Sequence, residues 1–291
     1  MTPRPQRAAR PRVVVVGPAT WNHIILLDHL PYPSPHMQFA ANHWWTVGGT
    51  SAGKALHLAD LGVAQTLVAA LGNDQGGDHV RDALARGGVH LVEMPSADVT
   101  ESHVNLMNAS GERVSLYVDA PPAAHEAGLD IARHAIQGAA AVVLDLASSA
   151  AVLAAAPEGI DAEVWVDLHD WDGVSDFQVP FLHAADVVVA SHERLGSIED
   201  FLWRCIDNGA KLAIVTRGAA GAIGMDENGD IVRCAARPVK VVDTNGAGDA
   251  FVAGALAARL LGDPLLAVLE AGSRQAVRAL SSRHLCASID M

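Results

Sequence analysis

The stretch VVDTNGAGDAFVAGALAARLLG, residues 241–262, sets a glycine-rich turn directly against a long apolar run. The spacing predicts a helix over 247–262. A helix that starts there leaves its first backbone N–H groups without partners inside the helix. Those donors and the positive end of the helix dipole make an anion site. Gly246 and Gly248 carry no Cβ to keep a bulky anion off the main chain. An acid at Asp249 is then unexpected, because a loop built only to hold phosphate would gain from a lysine. Two readings are open on these residues. Asp249 caps a helix behind a tight turn, or it takes a proton from an alcohol that attacks a phosphoryl group held by the N–H cradle. Asp243 and Thr244 extend the string beyond what a cap requires and favour the second reading.

Upstream, the chain alternates between short apolar runs and amphipathic segments. RVVVVG (12–17) reads as a buried parallel strand ending in glycine. SAGKALHLADLG (51–62) and GGDHVRDALARGG (76–88) read as helices, with AQTLVAALG (64–72) as the strand between them. AAVVLDL (140–146), EVWVDLH (163–169), ADVVVAS (185–191) and AKLAIVTRG (210–218) are further strand candidates. GAIGMDENGDIVRCAA (221–236) reads as a hairpin turning at ENG, and PLLAVLEAGSRQAVRALSS (264–282) as a last amphipathic helix. This alternation predicts an α/β fold, a mostly parallel sheet covered by helices. Two segments break the rhythm. HMQFAANHWWTVGG (36–49) and ESHVNLMNASGERVSLYVDA (101–120) alternate polar with apolar residues, and the second is a hairpin with a positive φ expected at Gly111. Residues 36–47 and 101–120 are expected to form a small separate sheet, a lid over a cleft. Residues 1–11 are expected to be a disordered tail ahead of one domain spanning 12–291.

Composition narrows the class. Half of the 291 residues are hydrophobic, and only 4% are aromatic, which suits helices packed on a parallel sheet. The formal net charge of −13 argues against a nucleic acid or an anionic membrane as partner. Cys205, Cys234 and Cys286 are far apart and read as structural thiols of a reducing, cytoplasmic compartment. His57 and His134 are read as ordinary core or surface histidines. No run reaches the roughly 18–20 apolar residues of a membrane span.

The string DTNGAGDAF closely resembles the DTxGAGD signature of the PfkB/ribokinase family of sugar kinases, and the resemblance extends over nearly the whole chain. It implies a Rossmann-like, ribokinase-type sheet flanked by helices, with a small β-sheet lid that often serves as a dimer contact. It implies an ATP- and Mg²⁺-dependent kinase acting on a hydroxyl, primary by expectation, of a sugar or related polyol. By the same resemblance Asp249 is the base, and Gly246, Ala247 and Gly248 form the anion hole. VTRGAAGA (215–222) is similar to the family's nucleotide loop, which assigns Thr216, Arg217, Gly218 and Gly221, with Thr244, to the nucleotide. VGGTSAGKALHLADLGV (47–63) resembles the N-terminal GG motif, so Gly48, Gly49, Thr50 and Gly53, with Asn22, are assigned to the acceptor.

Departures from the family pattern bear on the acceptor. Asn22 replaces the aspartate many members carry, Thr50 replaces a lysine, and Gly53 replaces an asparagine. Ribose is therefore not the expected substrate. A nucleoside acceptor, or a ligand-binding protein that has lost turnover, stays open as an alternative. A nicotinamide oxidoreductase is disfavoured, since the first strand leads into GPATWN and not GxGxxG. The family's N-x-x-E motif falls within VVVASHERLGS (187–197) with Ser191 at the asparagine, leaving Glu193 either as a water-mediated Mg²⁺ ligand or as a solvated acid. Asp167 and His169, at the end of a predicted strand, are secondary candidates for polar contacts. Arg113 either meets an anionic substrate or is solvated. Trp44 and Trp45 either cover a sugar or are buried in the lid or in a dimer contact.

Overall fold

The four valines of residues 13–16 are all fully buried, so both faces of the first strand are covered. That is the environment of a central parallel strand. The computed structural model describes residues 11–95, 99–108, 110–119 and 125–289. The expected tail at 1–11 therefore lies, but for its last residue, outside the described residues.

In chain order the strands are β1 (Arg12–Val16), β2 (Thr20–Leu27), β3 (Asn42–Gly48), β4 (Ala64–Ala70), β5 (His90–Met94), β6 (Ser102–Asn108), β7 (Arg113–Asp119), β8 (Ala141–Leu144), β9 (Glu163–Asp167), β10 (Val187–Ser191), β11 (Leu212–Thr216), β12 (Ala222–Asp226) and β13 (Ile231–Cys234). The helices are α1 (Thr50–Asp60), α2 (Gln75–Arg86), α3 (Glu126–Ile136), α4 (Ser148–Ala155), α5 (Val179–Ala184), α6 (Ile198–Asp207), α7 (Ala247–Leu260) and α8 (Leu265–Leu280).

Nine strands form the main sheet in the order β13-β12-β11-β10-β9-β8-β1-β4-β5. It is parallel from β11 to β5, and β12 and β13 extend it antiparallel. Val13 and Val15 face a core shared with α1, α2, α7 and α8. Val14 and Val16 face the opposite core, shared with α3, α4, α5 and α6. Each such side chain contributes roughly 1.5–3 kcal/mol by leaving water. Because β1 is followed outward by β4 on one side and by β8 on the other, the strand order reverses beside β1. In open α/β sheets the crevice at such a reversal, beyond the carboxyl ends of the strands, is where ligands bind.

The expected second sheet exists and has four strands, ordered β3-β2-β6-β7. Its hairpin of β6 and β7 turns through Gly111 at φ 86°, as the sequence predicts. Its other half differs from expectation. The segment 36–41 is not a strand; Met37 and Phe39 stand 94% and 91% exposed with no neighbouring strand to cover them. β2 instead supplies the second central strand, pairing antiparallel with β3 and parallel with β6. The edge strand β5 is likewise an element the apolar periodicity does not single out.

Candidate active site

α7 starts as the glycine-rich turn requires. Asp243 bends the chain by accepting the Asn245 N–H at 2.8 Å. Gly246, the residue preceding the helix, lies in the left-handed region at φ 75°, ψ 0°, where a side chain would be strained. No side chain caps α7. Elsewhere caps are present: Asp74 accepts the Gly77 N–H at the start of α2, and Ser197 accepts the Asp200 N–H at the start of α6. The first-turn donors of α7 are left to face the cleft. Asp249, in that first turn, is buried. Its role is not that of a cap.

Burial pushes the Asp249 carboxyl up to about 6, against the pull of a neighbouring ammonium. That ammonium belongs to Lys54 in the first half of α1, fully buried and 2.7 Å from Asp249 Oδ1. Lys54 Nζ also lies 3.0 Å from Asp145 Oδ1, just beyond β8, and 3.2 Å from Asp167 Oδ2, at the end of β9. Burial alone would favour loss of the lysine's proton, but Asp145, Asp249 and Asp167 together hold it well above the ordinary lysine range. Asp145 is equally buried, yet Lys54 and His169 keep it well below the usual carboxylate range. His169 flanks the group, 3.6 Å from Asp145 and 3.4 Å from Asp167. Burial works against its charge, and the two acids raise it to about 8. It is the one non-glycine among the described residues with positive φ, 52°. Ser51 Oγ completes the set by donating to Asp145 Oδ2 at 2.8 Å.

A cleft of about 1390 Å³ opens above this group along the carboxyl ends of the parallel strands. Asn22, Gly48, Gly49 and Thr50 line it on the side of the smaller sheet; Glu193, Thr216, Gly218, Gly221 and Thr244 line it on the other, with Gly246, Ala247, Gly248 and Asp249 between them. Thirteen positions assigned from sequence thus converge on one space. Two do not. Arg217 folds its guanidinium back onto the Ala220 carbonyl at 2.8 Å and is not among the lining residues. Gly53 lies beneath Asp249 and not in the wall: a Cβ there would stand 2.9 Å from Asp249 Oδ2 and 3.0 Å from its Cβ.

The smaller sheet presents alternate residues to the cleft, as a strand's twofold period dictates. Arg113, Ser115 and Tyr117 of β7 and His103 and Asn105 of β6 face inward. Val114, Leu116 and Val118 stand 40%, 49% and 60% exposed on the other face. Tyr117 packs on His103 with ring centroids 4.0 Å apart. Neither Trp44 nor Trp45 lines the cleft; Trp45 stacks on His23 at 4.3 Å. Arg113 reaches across to the signature turn, donating to Asn245 Oδ1 at 3.1 Å. Asn22 accepts from Thr20 Oγ1 at 2.7 Å, which leaves its amide nitrogen beside Gly48, where no Cβ would fit. His57 is a core histidine, its ring held by the Leu285 carbonyl at 2.8 Å and the Gln275 amide at 2.9 Å. All three cysteines are free and buried. Among the described residues no helix is long and apolar enough to cross a membrane.

Lys54 and Asp145 were not singled out by sequence reasoning. A signal does exist: Lys54 is the one lysine or arginine in a helix whose residues 51–58 are otherwise small, apolar or His57. A charge in a helix that is apolar all round is a buried charge, and a buried charge has a partner.

The profile of the pfkB family carbohydrate kinases matches residues 178–290. The chain is 33% identical over 267 residues to the acarbose 7(IV)-phosphotransferase of an Actinoplanes species, covering 90% of this chain and 89% of the relative. It is 28% identical over 236 residues to a fructokinase of Klebsiella pneumoniae, covering 72% and 76%. Among solved structures, a microbiome-derived acarbose kinase superposes with a TM-score of 0.82 at 26% identity, covering 94% of this chain and 93% of that one. A ribokinase from Thermotoga maritima shares the fold, with a TM-score of 0.80 at 18% identity over 96% of each chain. The protein belongs to the pfkB family of carbohydrate kinases, phosphotransferases that act on sugar hydroxyls.

Proposed function

We propose that the chain transfers the γ-phosphoryl group of ATP to a sugar hydroxyl, with Asp249 as general base and the 246–249 backbone as anion cradle. The observation that carries this reading is the placement of a buried carboxylate in the first turn of an uncapped helix, inside a cleft that runs from the GG turn to the 216–221 loop. The acceptor's hydroxyl proton passes to Asp249 as its oxygen bonds the γ-phosphorus. The bond from that phosphorus to the β–γ bridging oxygen breaks, and its electron pair leaves with ADP. Backbone donors at the start of α7 stabilise charge on the transferred oxygens, each worth roughly 3–4 kcal/mol in such sites. With its carboxyl near 6, Asp249 is mostly ionised at neutral pH and returns the proton to water after each turnover.

Kinases of this family use ATP, and the uncapped α7 start fits its phosphates. Glu193 is exposed at the cleft and, among the described residues, takes part in no ion pair, which suits a water-mediated contact with Mg²⁺, a cation that takes oxygen ligands and keeps several waters. Mg²⁺ supplies charge neutralisation on the phosphates. Thr216, Gly218, Gly221 and Thr244 form the nucleotide side; Arg217 shapes that loop by donating its backbone N–H to the Gly221 carbonyl at 2.7 Å. Asn22, Gly48, Gly49 and Thr50 form the acceptor side, and the smaller sheet is the lid over it. Its outer face, with Val114, Leu116 and Val118, is the contact for a second copy. The enzyme works in the cytoplasm, where its three thiols stay reduced.

For the acceptor, an acarbose-type pseudo-oligosaccharide is the first choice. The 33% identical relative carries that activity in its name. The test is ATP consumption with acarbose, fructose, ribose and adenosine as separate acceptors, on the native chain and on Asp249→Asn. Turnover with a sugar, abolished in the variant while ATP still binds, is expected. Full activity in Asp249→Asn would remove the base from the scheme, and turnover with adenosine alone would replace the acceptor class.

A further inference from the structure

The scheme above leaves Lys54 without a part, although among the described residues it is the one fully buried lysine or arginine. Its ammonium has three donors, and three carboxylates from three separate elements stand within 3.2 Å of it. Two of those are themselves fixed: Asp145 by Ser51 and His169, Asp167 by its contact with His169 and by accepting that residue's backbone N–H at 3.0 Å. The third, Asp249, offers only Oδ1 to the lysine. Its Oδ2 accepts no hydrogen bond among the described residues and lies over the bare backbone of Gly53.

We propose that Lys54 is a positioning residue for phosphoryl transfer: anchored by Asp145 and Asp167, its ammonium grips Oδ1 of Asp249 and turns Oδ2 toward the acceptor hydroxyl. The proposal rests on Asp249 being the base. Lys54 is fully buried and does not line the cleft, so it acts through Asp249 and not on the substrate. As an ammonium it has no free electron pair and cannot itself take the hydroxyl proton. It acts in two ways. It removes the rotational freedom of a side chain that otherwise pivots about its own bonds, and its charge favours the ionised form of Asp249. The charged groups facing Asp249 are Lys54 from α1, Asp145 from the end of β8 and His169 from beyond β9, with Asp167 acting through Lys54. Of these, Lys54 has the largest effect, and it opposes the effect of burial.

The test compares Lys54→Met with the double variant Lys54→Met/Asp145→Asn, which removes one charge of each sign and so relieves the unpaired acid the single change leaves in the core. Each is assayed for kcat, for the KM of ATP and for the pH dependence of kcat/KM, with folding checked by circular dichroism. A misplaced base loses about 10²-fold in rate, so kcat falls by about that factor while the KM of ATP stays within about twofold. In Lys54→Met the acid limb moves up by about one pH unit, the lower end of the range for losing an adjacent opposite charge. In the double variant it moves up less, because loss of Asp145 works the other way. A folded variant with native kcat and an unmoved limb overturns the proposal. So does a fall in kcat with an unmoved limb, which is what a purely structural lysine would produce. Asp249→Asn run in parallel separates the two layers: activity there removes the base, whereas an inactive Asp249→Asn beside a fully active Lys54→Met removes only the positioning role.

Discussion

The start of α7 and the inner face of the smaller sheet border the same cleft and are built in opposite ways. At α7 the working groups are backbone donors and one carboxylate, delivered by seven consecutive residues, 243–249, whose conformation is set locally by Asp243 and Gly246. On the smaller sheet the working groups are side chains, Asn22, His103, Asn105, Arg113, Ser115 and Tyr117, drawn from three strands of which the first and last are nearly a hundred residues apart in the chain. Changing one of these alters a single contact, whereas changing the turn alters the geometry of every donor in it. Under the proposed function, the chemistry is held by the part that tolerates least, and the choice of acceptor by the part that tolerates most.

Four substitutions or conditions probe that contrast. Asp249→Asn should act most strongly, lowering phosphoryl transfer by about 10²- to 10⁴-fold, the usual contribution of a positioned base, with calorimetric ATP affinity little changed. Gly53→Ala comes next. Its Cβ would stand 2.9 Å from Asp249 Oδ2, so the carboxylate must shift, and a loss of about 10²-fold in kcat is expected with ATP affinity intact. Native kcat in Gly53→Ala would mean that the acid's exact placement does not matter. Third, Asp249 must be ionised to accept a proton, and burial raises its carboxyl to about 6. Activity should thus be flat near neutral pH and fall about tenfold per unit as pH drops below that value, in an initial-rate series at saturating ATP. Smallest is Tyr117→Ala: loss of one contact of about 1 kcal/mol should raise the acceptor's KM about fivefold and leave kcat nearly unchanged. A tenfold fall in kcat in that variant would erase the division between the two regions.

How far sequence reasoning reaches follows the same line. The α7 turn is legible because its conformation is local: glycines, an acid that bends the chain and an apolar run suffice. The parallel strands other than the edge strand β5 are legible because they are buried on both faces and read as largely apolar runs rich in valine, leucine and isoleucine. β2 is not, since TWNHIILL is neither strictly alternating nor wholly apolar, and its partner β6 lies far along the chain. Lys54 is not legible as a partner of Asp249 because a lysine in a helix is usually solvated. Only the convergence of three distant carboxylates makes this one buried, and nothing local encodes that convergence. Gly53 reads as a lost contact when compared with asparagine at that position, yet in three dimensions it is the opening that admits Asp249.

The parallel pairing of β2 with β6 has a consequence for how the molecule assembles. It joins residues 20–27 to residues 102–108, while the intervening chain supplies β4 and β5 of the main sheet together with α1 and α2. Closing so long a loop carries an entropic penalty that falls once the segment between its ends is already ordered. The reaction centre's supporting sheet is thus expected to fold ahead of the surface that selects the acceptor. The part of the enzyme most free to change is also the last to acquire its shape.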